Sequence, residues 1–472
     1  MSTRRPNIVL MVTDDHAAHA IGAYGSVVNA TPRIDEIAAT GARLDRCYCT
    51  NSLCTPSRAS ILTGTYSHVN GVYTLLTPMD PNQATFVSAL RDVGYRTAIV
   101  GKWHLGDEPE HRPSGFDYWE ILIDQGEYFD PRFVTPDGVA TREGYATDLI
   151  TDLSLDWIDS LDDDEPYCIL IHHKAPHRPW EPHPRHADLY TDPIAVPDTF
   201  DDDYSTRTLA ARHAAMRIAD HLTLEDLKQA PPSGLTDDEV ALWKYQRYME
   251  DYLRCVAAVD ENVGRVTDFL RDRGDLDSTM LMYTSDQGFF LGDHGWFDKR
   301  FMYEESLRMP FVVSYPDGGI TAGTDVAPMV TNVDIAPTIL EAVGVDVPER
   351  MQGASFLDLL TDGEAAPIHD AVYYRYWEND DINHLALAHY GVRTERYKLI
   401  YFYNDGLGLP GTSGSTYEPG WELYDLEHDP DEVNNVVADP AYAEILTGLR
   451  ARLRELQDEL GDAPHPSDIA MV

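Results

Sequence analysis

Short, continuous apolar runs constrain the fold of this chain more than any other sequence feature. Runs of this kind are typical of parallel strands that are buried on both faces of a sheet. Amphipathic segments lie between them, so strands and helices alternate along the chain and indicate a doubly wound α/β fold. The clearest runs are Asn7–Thr13 and residues 95–100, 166–172 and 280–284, and further strands are predicted at 43–50 and 308–313.

The sequence pattern after residue 367 differs from that of the rest of the chain. We therefore predict two domains: a catalytic domain at 1–366, in which helices flank a large, mixed and mostly parallel sheet, and a smaller α+β domain at 367–472. The smaller domain is expected to consist of antiparallel strands and one helix. These elements are predicted at residues 371–377, 391–393, 397–403, 421–426 and, for the helix, 440–460.

The net charge of the chain is −44, from 36 basic and 80 acidic residues. Such a charge argues against binding to nucleic acid or to an anionic membrane surface. The five cysteines are scattered and do not suggest a disulfide framework. No segment approaches the length of a membrane span, and the apolar run at 8–12 is too short for a signal peptide, so we expect a cytoplasmic protein.

Three carboxylates follow two of the predicted parallel strands. Asp14 and Asp15 follow the first strand, and Asp286 follows the run at 280–284. The carboxyl ends of parallel strands are where α/β folds place their sites. Two adjacent ionised carboxylates are costly without a cation, and oxygen ligands suit Ca²⁺ or Mg²⁺, so a metal site is predicted. An Asx turn that caps the following segment is the alternative for Asp14 and Asp15.

Basic and titratable residues follow the other two strands. Lys102 and His104 are two residues apart, so their side chains point the same way in an extended chain. Three histidines and one lysine lie at the end of the run at 166–172 or just past it, His177 among them. A surface lysine and a core histidine are the alternative for Lys102 and His104.

The stretch Cys54-Thr55-Pro56-Ser57-Arg58 is predicted to be a turn that leads into a helix. A cysteine at a helix N-terminus, with an arginine one turn further on, lies in a positive field. Such a field favours a thiolate or an anionic ligand. A small buried cysteine beside a helix cap is the alternative.

This stretch resembles the hallmark of the type I sulfatases, enzymes of the alkaline phosphatase superfamily in which this cysteine is oxidised to formylglycine. Residues 5–15, 94–106 and 285–306 resemble further motifs of that family and occur in the family's order. The resemblance covers nearly the whole chain. It implies an alkaline-phosphatase-like fold whose smaller C-terminal domain contributes to the substrate pocket.

The resemblance also implies roles for single residues. Cys54 would be the formylglycine precursor, matured by a formylglycine-generating enzyme, and Arg58 would hold it and offset its charge. Lys102 would grip the sulfate group, and His104 would handle protons on the formylglycine hydrate. His177 would assist the leaving oxygen of the sugar.

Lys299 would contact the bridging oxygen of the sulfate ester. Ca²⁺, with Mg²⁺ as the alternative, would be bound by four side chains and by residue 54. Gln287 stands where the family more often has asparagine. The four implied side chains are Asp14, Asp15, Asp286 and Gln287.

Parts of the chain resemble carbohydrate sulfatases that act on 6-sulfated N-acetylglucosamine, which makes a sulfated carbohydrate the expected substrate. Candidate substrate contacts are Arg178, Trp180, Asp381 and His384, with a plain turn as the alternative for residues 379–384. The polar and aromatic stretch 125–130 is a candidate lining of the sugar pocket, with ordinary loop packing as its alternative. Two other functions stay open: a phosphonate or phosphodiester hydrolase on the same scaffold, and a sulfoglycan-binding protein whose cysteine is never converted.

Overall fold

A computed structural model describes residues 5–363 and 365–469 of the chain. A mixed sheet of ten strands forms its centre. The five central strands are parallel to one another, and the outer strands add antiparallel pairs. In spatial order the strands are Thr324–Val326, Ala42–Leu44, Phe311–Ser314, Thr279–Ser285, Asn7–Thr13, Tyr167–His172, Arg96–Lys102, Tyr118–Leu122, Arg132–Thr135 and Gly138–Thr141.

The first strand shows how the sheet is buried on both faces. Ile8, Leu10 and Val12 contribute to one hydrophobic core, whereas Val9 and Met11 contribute to another. Successive side chains of a strand point to opposite faces, so the two cores lie on opposite sides of the sheet. The predicted α/β class and the mostly parallel sheet are therefore confirmed.

Helices cover both faces of the sheet. The longest of them runs from Asp237 to Arg273 and begins with a capping box between Thr236 and Glu239. Among the described residues, no helix is both long enough and apolar enough to cross a lipid bilayer. The α-helices before residue 366 are Pro32–Thr40, Cys54–Thr63, Ser67–Asn70, Phe86–Asp92, Ala146–Asp159, Leu209–His213, Ile218–His221, Leu224–Leu227, Asp237–Arg273, Glu304–Leu307, Ile335–Ala342 and Leu357–Thr361.

Two predicted strands are each divided in the structure. A turn at residues 45–46 splits the strand expected at 43–50, and Pro310 splits the one expected at 308–313. Proline has no N–H to contribute to a ladder, which explains the second break. The outer pieces form a separate three-stranded sheet of Arg308–Met309, Cys47–Tyr48 and Val330–Thr331, and a small hairpin pairs Phe290–Leu291 with Phe297–Asp298.

A second sheet of four antiparallel strands follows near the C-terminus, as predicted. Leu449, Leu453 and Leu456 of the last long helix pack on one face of it. The domain boundary at residue 366 remains a prediction. The strands, in both chain and spatial order, are Ala371–Tyr376, His389–Thr394, Tyr397–Phe402 and Gly420–Asp425, and the helices are Ala443–Leu460 and Pro466–Ile469.

Candidate active site

The central strands bring the three predicted carboxylates together. Thr13 and Ser285 are paired neighbours at the ends of two parallel strands, so the residues that follow them meet at one edge of the sheet. The backbone N–H of Asp286 donates to Thr13 O at 3.1 Å, and that of Asp15 lies 3.4 Å from Oδ1 of Asp286. Asp14, Asp15 and Asp286 are all fully buried.

Each of these carboxylates faces a buried cation. Nζ of Lys299 lies 2.7 and 2.8 Å from the two carboxylate oxygens of Asp15. Nε of Arg58 donates to Oδ2 of Asp286 at 2.9 Å, and Nζ of Lys102 donates to Oδ2 of Asp14. Buried charges are tolerated only when they are paired, so the three pairs account for the burial of six ionisable groups.

The carboxyl pKa values show that the three ion pairs do not fully offset the cost of burying the negative charges. Burial opposes ionisation of Asp14, but Lys102 and other nearby positive charges hold its pKa well below the usual value. Burial raises the pKa of Asp15 to about 7 in spite of Lys299. Burial and the charge of Asp14 raise the pKa of Asp286 to about 7. An additional cation would favour the ionised form of all three groups.

Two unpartnered oxygen atoms show that this edge of the sheet fits a hard divalent cation. Oδ1 of Asp14 and Oε1 of Gln287 are buried and accept no hydrogen bond. The amide Nε2 of Gln287 donates to Oδ1 of Asp15 at 2.6 Å, which leaves its oxygen free. Asp14, Asp15 and His177 each offer a ligand atom within 4.8 Å of the others. Carboxylate and amide oxygens are the ligands that Ca²⁺ and Mg²⁺ prefer.

Cys54 is the first residue of the buried helix Cys54–Thr63, and its side chain is 1% exposed. Burial raises the pKa of its thiol, although Lys102 acts in the opposite direction. The raised pKa favours a neutral thiol over a thiolate in the unmodified residue. Loss of solvation on burial outweighs the positive charge of Lys102.

Arg58 is anchored one turn along the same helix. Its Nη1 donates to Lys102 O at 3.0 Å and lies 3.1 Å from Nδ1 of His172. Its Nη2 is buried and has no hydrogen-bond partner. The guanidinium group is thus held rigidly by its other nitrogens and keeps one nitrogen for an anion.

Lys102 and His104 are joined by a residue that the motifs did not identify. Lys102 donates to Oε1 of Gln125, and Nε2 of Gln125 lies 3.2 Å from Nε2 of His104. Gln125 belongs to the stretch 125–130, which the sequence marked only as a possible pocket lining. Its contact with two motif residues depends on the pairing of the strands Arg96–Lys102 and Tyr118–Leu122, so no local signal could have found it.

His177 approaches the same carboxylates from the strand Tyr167–His172. Its Nε2 lies 3.7 Å from Oδ2 of Asp15, and its Nδ1 lies 2.6 Å from Arg178 O. Tyr128 donates to His177 O at 2.7 Å and fixes the backbone there. Burial lowers the pKa of His177 well below its usual value, so the ring is neutral.

A cavity of about 410 Å³ opens over these side chains. His384 lines it, with Nδ1 3.0 Å from Asp381 and Nε2 3.2 Å from Asp298. Arg178 also lines it and forms a two-pronged ion pair with Asp226, at 3.0 and 2.6 Å. The lining includes the following polar residues discussed in this section: Cys54, Gln125, His177, Arg178, Lys299 and His384.

Two of the four predicted substrate contacts lie away from the cavity lining. Trp180 is fully buried, its ring lies 4.5 Å from that of Tyr248, and it does not line the cavity, so the predicted contact is wrong. The Trp180 ring packs in the hydrophobic core instead. Asp381 acts through His384, whose backbone N–H and ring both face its Oδ1.

Asp298 and Arg300 are further cavity residues that sequence reasoning missed. They flank Lys299, and both have left-handed backbone angles, with φ of 77° and 100°. Such angles are costly for residues other than glycine and tend to persist where the surrounding contacts enforce them. Asp298 accepts from the backbone N–H of Lys299 at 2.9 Å and also contacts His384. The only sequence feature that could have identified these two residues is their position next to Lys299.

Comparison with known families identifies the class of protein. A family model described as Sulfatase matches residues 6–345, which is more than half of the chain. The chain belongs to the sulfatase family. A second family model, described as N-sulphoglucosamine sulphohydrolase, C-terminal, matches residues 292–459 of this sulfatase. The predictions of the family and of an enzyme are confirmed.

Relatives and solved structures cover nearly all of this sulfatase. The N-acetylglucosamine-6-O-sulfatase of Bacteroides thetaiotaomicron is 41% identical over 98% of this chain and 88% of its own length. A solved structure of a protein in complex with its substrate D-glucosamine-2-N,6-O-disulfate has a TM-score of 0.91 at 41% identity, covering 97% of this chain and 98% of that one. The phosphonate monoester hydrolase of Agrobacterium radiobacter shares the fold, with a TM-score of 0.77 at 21% identity, covering 97% and 96%.

Proposed function

We propose that this sulfatase removes the 6-O-sulfate group from N-acetylglucosamine or a closely related glucosamine. The observation that carries this proposal is the 41% identity, over 98% of the chain, to an N-acetylglucosamine-6-O-sulfatase. The complex of the similar solved structure with D-glucosamine-2-N,6-O-disulfate supports the same substrate class. The reaction splits the ester with water, so that the sugar regains a hydroxyl group and sulfate is released.

The charge distribution of the site suits a sulfate ester. The chain carries a net charge of −44, which would repel an anion from most of the surface. Lys299 lines the cavity, and Lys102 contacts the lining residue Gln125. Lys102, Lys299 and Arg58 are each paired with a buried carboxylate, but Nη2 of Arg58 has no partner and keeps a donor for an anion. These groups concentrate hydrogen-bond donors for a sulfate group in an otherwise acidic protein.

We further propose that Asp14, Asp15, Asp286 and Gln287 hold a divalent cation, most simply Ca²⁺. When present, the cation and a formylglycine at position 54 would supply a Lewis acid for the sulfate group and the attacking oxygen. Around them, Lys102 and the free Nη2 of Arg58 stabilise negative charge on the sulfate.

On the sugar side, Lys299 is the group that carries a proton. Burial opposes its charge, but Asp15 and Asp298 raise its pKa, so it remains an ammonium group. His177 lies beside Asp15 with its Nδ1 against a carbonyl oxygen, which leaves Nε2 without a proton in the neutral ring. Lys299 is accordingly the better placed donor to the departing sugar oxygen, and His177 helps to orient it.

The proposal is tested by mass spectrometry across residue 54 combined with a sulfate-release assay. The protein is co-expressed with a formylglycine-generating enzyme and assayed on N-acetylglucosamine 6-sulfate, with the 3-sulfate as the matched control. Formylglycine together with release from the 6-sulfate alone supports the proposal. Formylglycine with hydrolysis of an aryl phosphodiester but of no sulfated sugar would replace it with the phosphoesterase alternative.

Replacing His384 by alanine is expected to raise KM for the sugar sulfate by roughly tenfold and to change kcat by less than about threefold. Both ring nitrogens of His384 contact carboxylates, so its side chain is a fixed part of the cavity lining, and loss of about 1 to 1.5 kcal/mol of sugar contact corresponds to this factor. Steady-state kinetics measures both constants. The matched control is His428→Ala, because His428 is largely exposed and far along the chain from the cavity residues. A fall in kcat with unchanged KM would contradict a role in sugar binding.

A further inference from the structure

Gln125 lies between Lys102 and His104, for which the family resemblance implies sulfate binding and proton handling. It follows the strand Tyr118–Leu122, which pairs in parallel with Arg96–Lys102. Its amide reaches back to the end of that neighbouring strand, where it accepts from Lys102 and lies 3.2 Å from Nε2 of His104. Its side chain also lines the cavity.

Lys102 determines which way the Gln125 amide faces. An ammonium group carries only hydrogen-bond donors, so the amide oxygen must face Lys102 and the NH₂ group must face His104. The NH₂ group in turn can only donate, so Nε2 of His104 must present its lone pair. Burial and Lys102 lower the pKa of His104, so the ring is neutral and its single proton lies on Nδ1.

The other groups around the His104 ring select a tautomer less strongly than Gln125 does. Oγ1 of Thr55 lies 3.3 Å from Nδ1, and a hydroxyl group can donate or accept. Oδ1 of Asp124 lies 3.5 Å from Nε2, but the side chain of Asp124 is 66% exposed, so water screens its attraction for a proton. Asp14 and Arg58 also act on the ring, with opposite signs. Asp124 favours a proton on Nε2, but Gln125 is closer to that atom, lines the cavity and is fixed by Lys102, so among the described neighbours it has the larger effect on the tautomer.

We propose that Gln125 is a positioning residue that holds His104 in the Nδ1–H tautomer, with Nε2 accepting from the Gln125 amide and Nδ1–H facing Thr55. The inference rests on the proposed function, in which His104 would handle protons on the formylglycine hydrate. It explains why an amide suits this position. A glutamate would still accept from Lys102, but it could not donate to His104 and would favour a proton on Nε2.

Nitrogen-15 NMR of the full-length, histidine-labelled protein tests this directly, because protonated and bare ring nitrogens have different shifts. The difference spectrum against His104→Gln identifies the relevant signals. We expect a bare Nε2 and a protonated Nδ1 in the unsubstituted protein and in Thr55→Val, the matched control. Gln125→Glu should move the proton to Nε2, and Gln125→Met should produce a mixture of both tautomers.

Kinetics provides the second readout. Gln125→Glu should lower kcat on the order of 100-fold, with KM changed by less than about threefold, because the proton of His104 would lie on the other ring nitrogen. A protonated Nε2 in the unsubstituted protein, or an unchanged tautomer in both Gln125 variants, would overturn the inference. The tautomer does not depend on the substrate, so the expected NMR pattern in a protein that hydrolyses no sulfated sugar would contradict the proposed function and still support this inference.

Discussion

Replacing Cys54 by alanine is expected to lower kcat for sulfate-ester hydrolysis by at least about four orders of magnitude. The substitution removes the atom from which the proposed formylglycine nucleophile is made, and loss of a catalytic nucleophile commonly has an effect of this size. Turnover is measured by sulfate release, and mass spectrometry confirms that residue 54 of the parent protein is converted.

The fold should survive this change. The side chain of Cys54 is small, and the helix it begins is anchored by Arg58 through Asp286 and by Ser57 through the Asp286 carbonyl. We therefore expect the melting temperature of Cys54→Ala to stay within a few degrees of the parent value. Activity at the parent level in this variant would rule out the covalent mechanism.

Removal of the bound metal is expected to abolish turnover and to lower the melting temperature. A ligand that binds only the folded state stabilises it by about 2.7 kcal/mol at 100 times its Kd, and the proposed cation would also favour the ionised form of three buried carboxylates. Dialysis against a chelator followed by addition of Ca²⁺ or Mg²⁺ measures the loss and the recovery by calorimetry. Asp286→Asn should remove the response to added metal.

A matched control is available on the surface. Asp425, Glu427 and His428 form the other described group of potential metal ligands, but Glu427 and His428 are exposed, and Asp425 is already paired with Arg396. Glu427→Gln should therefore keep the full metal response. A parent protein whose melting temperature ignores chelator and added cation alike would contradict the metal site.

Most of the main sheet could be predicted because four of its five central strands carry their own signal, whereas Tyr118–Leu122 has no clear period and was not predicted. Asn7–Thr13 is a continuous apolar run, and its burial on both faces follows from that run alone. The ends of such strands meet at one edge, which is why Asp14 and Asp286, far apart in sequence, could be placed together. The predicted strands that broke did so at a turn and at Pro310, where local backbone chemistry overrides apolar content.

The sugar side of the site could not be predicted in the same way. Gln125 lies on a loop and Asp298 ends a short hairpin strand. Their partners are set by strand pairing and by an unusual backbone angle, neither of which leaves a periodic pattern. Trp180 illustrates the opposite error, because an aromatic residue next to a motif histidine suggested substrate contact and instead fills the core. The motifs therefore identified the reactive residues, whereas the residues around them that line the cavity carried no recognisable sequence pattern.

The complete burial of the helix Cys54–Thr63 has a consequence for how the enzyme is made. No modifying enzyme can reach residue 54 once the strand Thr279–Ser285 has docked and Asp286 has anchored the helix. The ribosome reaches that strand roughly 230 residues after residue 54, which at about 5 to 20 residues per second takes on the order of ten to fifty seconds. The proposed conversion of Cys54 must therefore occur during translation or soon after it, and rapid folding would compete with maturation.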